Sequence, residues 1–276
     1  MIDNVSGIAR TAYYCCGVRW ADAQKKEPIC GDHLAELFMS EEARQVFARF
    51  ADLRMPNASN ATRARIIDDW LRDRLLADPE QPVILLGAGF DTRAFRLPGG
   101  RWVEIDQPGL LAEKERALPA AKSPQPLTRM SLDFATGKLA DTLAAIEGEH
   151  PVIVMEGVSM YLSQGELKST LSALAWAFPR HTLMIDLMTK GFAERYGAEV
   201  KKRLAELGGN FAADLVDAPA RTITQKGYRE IARSSIMKRA RELGAVPVPA
   251  LLLDTLMRPL RDGYFACVFE HGGVTR

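Results

Sequence analysis

A run of apolar residues, Val83 to Leu86, leads directly into the sequence Gly87-Ala-Gly-Phe-Asp-Thr-Arg93. This order is typical of a buried β-strand that ends in a glycine turn and enters a helix. The next apolar stretch ends at Glu104-Ile-Asp106, which puts a carboxylate at the tip of a second strand. In open α/β sheets such an arrangement holds the ribose of a nucleoside cofactor beyond the carboxyl ends of the strands. The two segments therefore predict an α/β fold with a nucleoside site.

The residues of the turn distinguish two classes of cofactor. Dinucleotide sites usually have a third glycine three positions after the second, close to the helix N-terminus that holds the pyrophosphate. Here that position is Thr92, and Asp91 precedes it. A carboxylate there repels a pyrophosphate but suits an ammonium group. Because S-adenosylmethionine (SAM) has a ribose, an ammonium group and no phosphate, the turn favours SAM over NAD.

After Pro82, short apolar runs alternate with amphipathic segments, which predicts a mostly parallel sheet with helices on both faces. The predicted strands are 83–87, 101–105, 127–131, 151–155, 181–186 and 263–270. Ser163 and Glu166 have the spacing of a capping box. The helix that they would begin has an apolar face made of Leu167, Leu171, Leu174 and Phe178.

We expect a single domain over residues 1–276, since no linker or repeat divides the chain. Its predicted parts are a helical N-terminal cap (1–80), a cofactor-binding core (81–187), a helical insertion (188–245) and C-terminal strands (246–276). The insertion either covers the site as a lid or forms surface helices without contact to a ligand. The sequence leaves both alternatives open.

Acidic residues lie near the carboxyl end of each predicted parallel strand: Asp91, Asp106, Asp133, Glu156 and Asp186. Any one of them is explained by the preference of carboxylates for turns and helix starts. Several at one edge of a sheet are more easily explained by a cationic ligand, and SAM carries a sulfonium and an ammonium group.

The histidines do not show the same clustering at this edge. His150 and His181 precede their strands, and His271 follows a last strand that we expect to be antiparallel, so all three belong to the opposite edge. Only His33 is placed to reach the site. Arg63 shares a helical face with Ile66, Ile67 and Trp70, so its guanidinium needs a partner. That partner is either the SAM carboxylate or a core acid, and the sequence does not decide between them.

Charge and composition exclude several other classes. Thirty-six basic residues balance thirty-five acidic ones, and no basic run is long enough to follow a phosphate backbone, so no nucleic-acid partner is expected. No apolar segment has the length of a membrane span, and no ligand cluster indicates a metal. Four cysteines without a C-x-x-C spacing are expected to be reduced thiols of a cytoplasmic protein. Oligomeric state is left open.

Three blocks of the chain resemble the signature blocks of the leucine carboxyl methyltransferase family. The members of this family are class I SAM-dependent O-methyltransferases. They are Gly87 to Leu97, Glu104-Ile-Asp-Gln-Pro108 and Glu156-Gly-Val-Ser-Met-Tyr-Leu162. The resemblance covers roughly residues 10–190. It departs at Asp32-His33, where Asp-Pro is usual. The resemblance implies a seven-stranded Rossmann-like sheet and SAM as the methyl donor.

The resemblance also implies which residues hold the cofactor. Gly87, Ala88 and Gly89 would line the methionine part, and Glu156 and Asp91 would lie near the ammonium group. Asp106, with its neighbour Gln107, would hold the ribose, and Asp133 with Phe134 would flank the adenine. Arg63 and Arg19 would meet the SAM carboxylate.

The acceptor is not carried over, because the match fades beyond about residue 190. We expect a small molecule, of the kind found among bacterial natural products, that is methylated on a carboxylate or a hydroxyl. A carboxylate, with a pKa of about 4, is already ionised and needs no base, whereas a phenol, with a pKa of about 10, benefits from one. The lack of an obvious base favours the carboxylate. Tyr161 and Asp186 are candidates for contact with the acceptor.

Two other functions remain as alternatives at this point. An NAD(P)-dependent oxidoreductase would also have an acid after its second strand, but it would usually have the third glycine. A SAM-binding protein without catalysis would use the same cofactor residues as an enzyme. Methyl transfer to an acceptor distinguishes the second alternative from the predicted O-methyltransferase.

Overall fold

The computed structural model describes residues 7–132 and 139–272. Asp133 and Phe134, the predicted adenine contacts, lie outside the described residues. Within the described part, the helices are α1 (Thr11–Ala23), α2 (Glu41–Ala48), α3 (Arg54–Ala77), α4 (Arg93–Arg96), α5 (Pro108–Ala117), α6 (Leu139–Ala144), α7 (Gln164–Ala177), α8 (Lys190–Tyr196), α9 (Ala198–Glu206), α10 (Pro219–Thr224), α11 (Ile236–Glu242), α12 (Ala250–Asp254) and α13 (Arg258–Asp262). Short 3₁₀ turns lie at Gly7–Arg10, His33–Phe38, Ala120–Lys122 and Ser159–Tyr161.

The strands form one seven-stranded sheet in the order β3-β2-β1-β4-β5-β7-β6. They are β1 (Pro82–Leu86), β2 (Arg101–Asp106), β3 (Leu127–Ser131), β4 (Val152–Met155), β5 (His181–Met188), β6 (Tyr228–Ser235) and β7 (Tyr264–His271). The strands β1 to β5 pair in parallel, and β7 is antiparallel to both β5 and β6. The predicted seven-stranded, mostly parallel sheet is confirmed, including the antiparallel last strand.

Helices cover both faces of the sheet, so alternate residues of β1 enter two different cores. Ile84 and Leu86 pack on one face with the apolar side of α7, and Val83 and Leu85 pack on the other with α3. Every residue of β1 is buried, as expected for a central parallel strand. The predicted capping box of Ser163 and Glu166 is present at the start of α7.

The N-terminal part is helical where the structure describes it, as predicted for 1–80. Its longest element, α3, buries Ile66, Ile67, Leu71 and Leu75 along one side. This spacing matches the apolar stripe of an amphipathic helix. The helix thus carries Arg63 on its buried side, where the guanidinium reaches the carboxyl edge of the sheet.

The expected helical insertion at 188–245 is wrong in one respect, because this segment contains strand β6. As an edge strand, β6 pairs only with β7 and has a register shift between Glu230 and Ala232. Its exposed positions include Arg229 and Arg233, and charged side chains are common on edge strands. These charges conceal the alternation of apolar residues from which strands are predicted.

The C-terminal segment also differs from expectation. Residues 246–272 contain two short helices, α12 and α13, followed by the single strand β7, whereas strands alone were expected. All four cysteines are free thiols. No helix in the described ranges has both the length and the apolar character needed to cross a bilayer.

Candidate active site

Two adjoining cavities lie at the carboxyl edge of the parallel strands. The larger cavity has a volume of about 520 Å³ and is lined by the glycine turn, the end of β2 and the segment after β4. It brings together every predicted cofactor residue that the structure describes: Arg19, Arg63, Gly87, Ala88, Gly89, Asp91, Asp106, Gln107 and Glu156. Their contacts with a bound cofactor stay a prediction.

The glycine turn begins at a position where a side chain does not fit. Gly87 has a φ of +78°, and a Cβ on it would lie 2.5 Å from Val158 Cγ2. Gly89 also has a positive φ, +45°. Both glycines adopt a backbone region that is costly for other residues. The absence of side chains leaves the turn's backbone open to the larger cavity.

Asp106 is held in a defined orientation at the end of β2. One carboxylate oxygen accepts from Gly89 N at 2.6 Å, and the other accepts from Gln107 N at 2.7 Å. A carboxylate has about four acceptor sites, so both oxygens retain capacity for a ligand. Burial raises the pKa of Asp106, although the two backbone donors oppose that shift.

Arg63 is bound by acids of the core. Its Nε lies 3.0 Å from Glu156 Oε1, and its Nη1 donates to Tyr264 at 2.7 Å and lies 3.4 Å from Asp186 Oδ2. The side chain is 5% exposed, and it lines both cavities. The core acid is therefore the partner that the structure shows. Nη2 has no acid partner among the described residues and approaches Cys15 Sγ at 3.9 Å.

Arg93 is a central residue that the sequence analysis missed as a site residue. Its guanidinium is 2% exposed and contacts Asp68 at 2.5 Å, Glu156 at 2.6 Å and the carboxylate of Asp91. A signal was present in the sequence: Asp68 lies three and seven residues before Leu71 and Leu75, on the buried side of α3. A carboxylate on that side needs a cation.

A second group of ion pairs ties the N-terminal helices to the glycine turn. Arg19 Nε lies 2.9 Å from Asp32 Oδ2, and Arg19 Nη2 donates to the carbonyl of Phe90 at 2.7 Å. Asp32 is fully buried and also accepts from Thr92 at 2.7 Å. Asp32 is therefore well paired, with His33 in the place where proline is usual.

These pairs show that acids at this edge of the sheet have partners within the protein. Asp91 and Glu156 line the larger cavity, but both are already paired with arginines. Burial opposes ionisation of Glu156, yet Arg93 and Arg63 outweigh it and lower its pKa to about 2. Glu156 is thus ionised at any physiological pH and is not a proton acceptor.

Asp186 lies near the carboxyl end of β5, as predicted, but its side chain does not reach either cavity. It is fully buried and is not among the lining residues of either cavity. Its carboxylate accepts from Gly157 N at 2.7 Å and from Tyr264 at 2.8 Å, besides pairing with Arg63. Asp186 therefore holds the site's walls in place instead of reaching an acceptor.

The second cavity, which we call the apolar cavity, has a volume of about 210 Å³. Its walls come from α1, α3, the segment after β5, and the last helix and strand. The lining side chains include Tyr14, Met55, Met160, Met188, Phe192, Tyr196, Val200, Leu204, Phe211, Met237 and Leu260. The 188–245 segment therefore covers the site, whereas its movement as a lid stays a prediction.

The two cavities share Cys15, Arg63, Gly157 and Tyr161 in their walls. The ring of Tyr161 lies edge-on to Phe211, with centroids 5.9 Å apart. Burial raises the pKa of Tyr161, so its hydroxyl stays protonated and serves for contact rather than as a base. A molecule in the apolar cavity would meet a molecule in the larger cavity at these four residues.

Three of the four histidines are placed as the sequence predicted, and His33 is not. His181 begins β5, His271 ends β7 and His150 precedes β4, which puts all three at the opposite edge of the sheet. His33 is exposed and lines neither cavity. No imidazole of the described residues is therefore available to a ligand in either cavity.

Comparison with known proteins gives a consistent result. A family model described as leucine carboxyl methyltransferase matches residues 13–175. A protein of Parafrankia sp. (strain EAN1pec), named "Putative S-adenosyl-L-methionine-dependent methyltransferase", is 30% identical over 89% of this chain and 84% of its own length. The tetracenomycin polyketide synthesis O-methyltransferase TcmP of Streptomyces glaucescens is 24% identical over 66% of this chain and 67% of its own.

A solved structure shares the fold. The structure of a DUF574 family protein from Streptomyces avermitilis MA-4680 has a TM-score of 0.62 and 13% sequence identity, and covers 98% of this chain and 100% of that chain. At such low identity the likeness concerns the fold alone. The order of the strands and the covering helices therefore belong to an architecture already seen in crystals.

Proposed function

The chain belongs to the leucine carboxyl methyltransferase family, and we propose that it transfers a methyl group from SAM to a carboxylate oxygen of a small, largely apolar molecule. SAM-dependent methyl transfer is the activity that the family and the named relatives have in common. Membership in this family overturns the alternative of an NAD(P)-dependent oxidoreductase. The methylated atom and the acceptor are our proposal.

One observation carries the proposal: the larger cavity, which contains the glycine turn and Asp106, shares a wall with the apolar cavity at Cys15, Arg63, Gly157 and Tyr161. SAM fits the larger cavity with its ribose at Asp106 and its carboxylate toward Arg63 Nη2. The sulfonium would then lie near the shared wall. The acceptor would occupy the apolar cavity and present an oxygen at the same place.

The lining of the apolar cavity favours a carboxylate as the methylated group. No aspartate, glutamate or histidine of the described residues lines it, and Arg63 is its one charged lining residue. Burial raises the pKa of Tyr14, Tyr161 and Tyr264, so these hydroxyls are not proton acceptors at neutral pH. A carboxylate is already ionised at neutral pH and needs no base.

The protein's contribution to the reaction is then to align the acceptor oxygen with the methyl group of SAM. The acceptor oxygen attacks the methyl carbon in line with the departing sulfur, and the sulfonium becomes a neutral thioether. Holding the two groups in that geometry contributes up to about 7–11 kcal/mol. The carboxylate and the sulfonium lose their charges together in this reaction, so a cavity with little water does not oppose it.

The nature of the lining also indicates the type of acceptor. Methionine and aromatic residues make up half of the lining residues, and methionine adapts to flat or irregular apolar molecules. TcmP is named for tetracenomycin polyketide synthesis, which supports a natural product as the acceptor, and the aromatic lining residues suit a ring-containing one. The proposed acceptor is therefore an apolar, ring-containing acid.

A direct test uses two acceptors of matched shape, 2-naphthoate and 2-naphthol, with SAM labelled in its methyl group. We expect label in an ester of 2-naphthoate, and mild alkali should release it as methanol. Label that appears only in an alkali-stable ether of 2-naphthol would show that the acceptor is a hydroxyl. If SAM binds but label enters neither compound nor a wider set of aromatic acids and phenols, the proposal of O-methyl transfer is wrong.

A further inference from the structure

Asn60 is a buried amide in the wall of the apolar cavity. It lies on α3, three residues before Arg63, and is 6% exposed. Its Nδ2 donates to Cys15 Sγ at 3.1 Å. Its Oδ1 is buried and has no hydrogen-bond partner within the described parts of the chain.

This arrangement is unfavourable for the free protein. Asparagine is a poor residue for the interior of a helix, and an unpaired buried carbonyl destabilises the fold. A leucine of similar size would suit the surrounding apolar wall better. Buried polar atoms are nearly always paired, so the partner of Oδ1 is expected to come from outside the chain.

The orientation of the amide determines which kind of partner fits. Because Nδ2 is engaged by Cys15, the group of the amide that lacks a partner is its oxygen, which only accepts hydrogen bonds. The partner must therefore be a donor. Arg63 lies on the same side of α3, since residues three apart on a helix are neighbours, and both side chains line the apolar cavity.

We propose that Asn60 is a specificity-determining residue whose Oδ1 accepts a hydrogen bond from a hydroxyl next to the acceptor's carboxylate. The acceptor class is then an apolar aromatic hydroxy acid, with its carboxylate at the wall shared by the two cavities and its neighbouring hydroxyl at Asn60. This inference rests on the proposed methylation of a carboxylate. It adds a hydroxyl beside the carboxylate, and this hydroxyl distinguishes the acceptor from aromatic acids that lack one.

The test compares 3-hydroxy-2-naphthoate with 2-naphthoate, which differ only in the neighbouring hydroxyl. The dissociation constant of each compound is measured by calorimetry with the protein saturated with S-adenosylhomocysteine (SAH), and the rate of ester formation is measured with SAM. The wild-type protein should bind the hydroxy acid about tenfold more tightly, a typical effect for one buried hydrogen bond. In Asn60→Leu this preference should disappear.

Thr62→Val provides the matched control. Thr62 is on the same helix, is fully buried, and its Oγ1 also has no partner among the described residues, but it lines neither cavity. Both substitutions remove an unpaired polar atom from α3. Thr62→Val should keep the full preference for the hydroxy acid, which a purely structural effect on the helix would not allow.

SAH affinity reports whether each variant is folded, and Asn60→Ala replaces Asn60→Leu if the larger side chain prevents folding. Equal binding of the two acids by the wild-type protein, binding of neither, or a preference that survives both substitutions would overturn the role of Asn60. Esterification of the two acids at equal rates would overturn it too, but would leave the proposed carboxylate methylation intact. If the binding preference is retained but neither acid is methylated, the proposed carboxylate methylation would be overturned and the role of Asn60 in binding would stand.

Discussion

Arg93 donates to Glu156 Oε2 at 2.6 Å, and this contact joins the glycine turn to the end of β4. The same guanidinium contacts Asp68 of α3 at 2.5 Å. Helix α3, the turn and the central strand therefore share one buried cation. The position of the larger cavity's walls relative to one another depends on it.

Substitution of Arg93 by methionine should destabilise the protein strongly. It would leave the carboxylates of Asp68, Glu156 and Asp91 without a shared cation, and removing one partner of a buried pair typically costs about 3–5 kcal/mol. We expect a loss of at least about 3 kcal/mol in the free energy of unfolding, measured with urea. Arg229→Ala is the control: its partner Glu270 lies at the surface, and such pairs contribute less than about 1 kcal/mol. Similar losses in both variants would contradict a central role for Arg93.

Replacement of Gly87 by alanine should lower both stability and SAH affinity. The positive φ costs an alanine about 1–2 kcal/mol, and its Cβ would lie 2.5 Å from Val158 Cγ2. We expect a total loss of about 2 kcal/mol or more in urea unfolding, and weaker SAH binding in calorimetry. Gly165→Ala is the matched control, because a Cβ there would meet nothing closer than 3.9 Å and alanine favours the helix. An unchanged Gly87→Ala protein would show that the turn tolerates a side chain.

The sheet could be predicted from the sequence because its central strands are apolar at nearly every position. The burial of all residues in β1 and β5 leaves no other interpretation of their sequences. The edge strand β6 could not be predicted in this way, since its pairing with β7 is stabilised by the backbone while Arg229 and Arg233 face solvent. Its formation depends on a neighbour distant in the chain.

The candidate site also has parts that could be predicted from the sequence and parts that could not. The motif positions that line the larger cavity follow from local sequence, because the glycine turn and Asp106 are adjacent to their strands. The pairing of the charges does not follow, because it depends on the packing of α3 against the turn. The sequence offered Arg63 two partners. The structure shows its contacts with the core acids Glu156 and Asp186, and its contact with the SAM carboxylate stays a prediction.

Substitution of Asp106 by alanine should abolish measurable SAH binding while leaving the fold intact. Two hydrogen bonds from the ribose to a carboxylate contribute about 1.5–3 kcal/mol each, so we expect a loss in affinity of at least a hundredfold in calorimetry. His33→Ala, an exposed residue away from both cavities, should bind SAH as the wild type does. Full SAH affinity in Asp106→Ala would contradict the assignment of the ribose site.

The ionisation of Asp106 should appear in the pH dependence of binding. Burial raises its pKa above the usual value of an aspartate, and the proposed ribose contact requires the ionised form. As the pH falls through this raised pKa, the carboxyl group takes up a proton and SAH affinity decreases. We expect the decrease to begin at a higher pH than an exposed aspartate would give, and calorimetry across the acid range measures it. A binding constant that stays level down to pH 4 would contradict this.

His181 should make the fold sensitive to acid. It lies at the start of β5 and is 4% exposed, with Nδ1 2.7 Å from the carbonyl of Phe178 and Nε2 3.0 Å from the hydroxyl of Tyr228. Burial lowers its pKa to about 4, and His271, stacked 5.3 Å away, opposes its charge as well. The unfolded chain, with a histidine pKa of about 6.5, therefore binds a proton first. Stability from this group is complete above pH 6.5 and is lost as the pH falls towards 4.

The expected loss from His181 alone is about 2 kcal/mol between pH 7.5 and pH 5, by the linkage of proton binding to unfolding. Urea unfolding at the two pH values measures it in the wild type and in His181→Gln, which cannot take up the proton. The variant should be less stable at pH 7.5 but should lose about 2 kcal/mol less on going to pH 5. His33→Asn, at an exposed position, should keep the wild-type difference. A full pH effect in His181→Gln would assign the acid sensitivity to other groups and leave His181 as a packing residue between β5, β6 and β7.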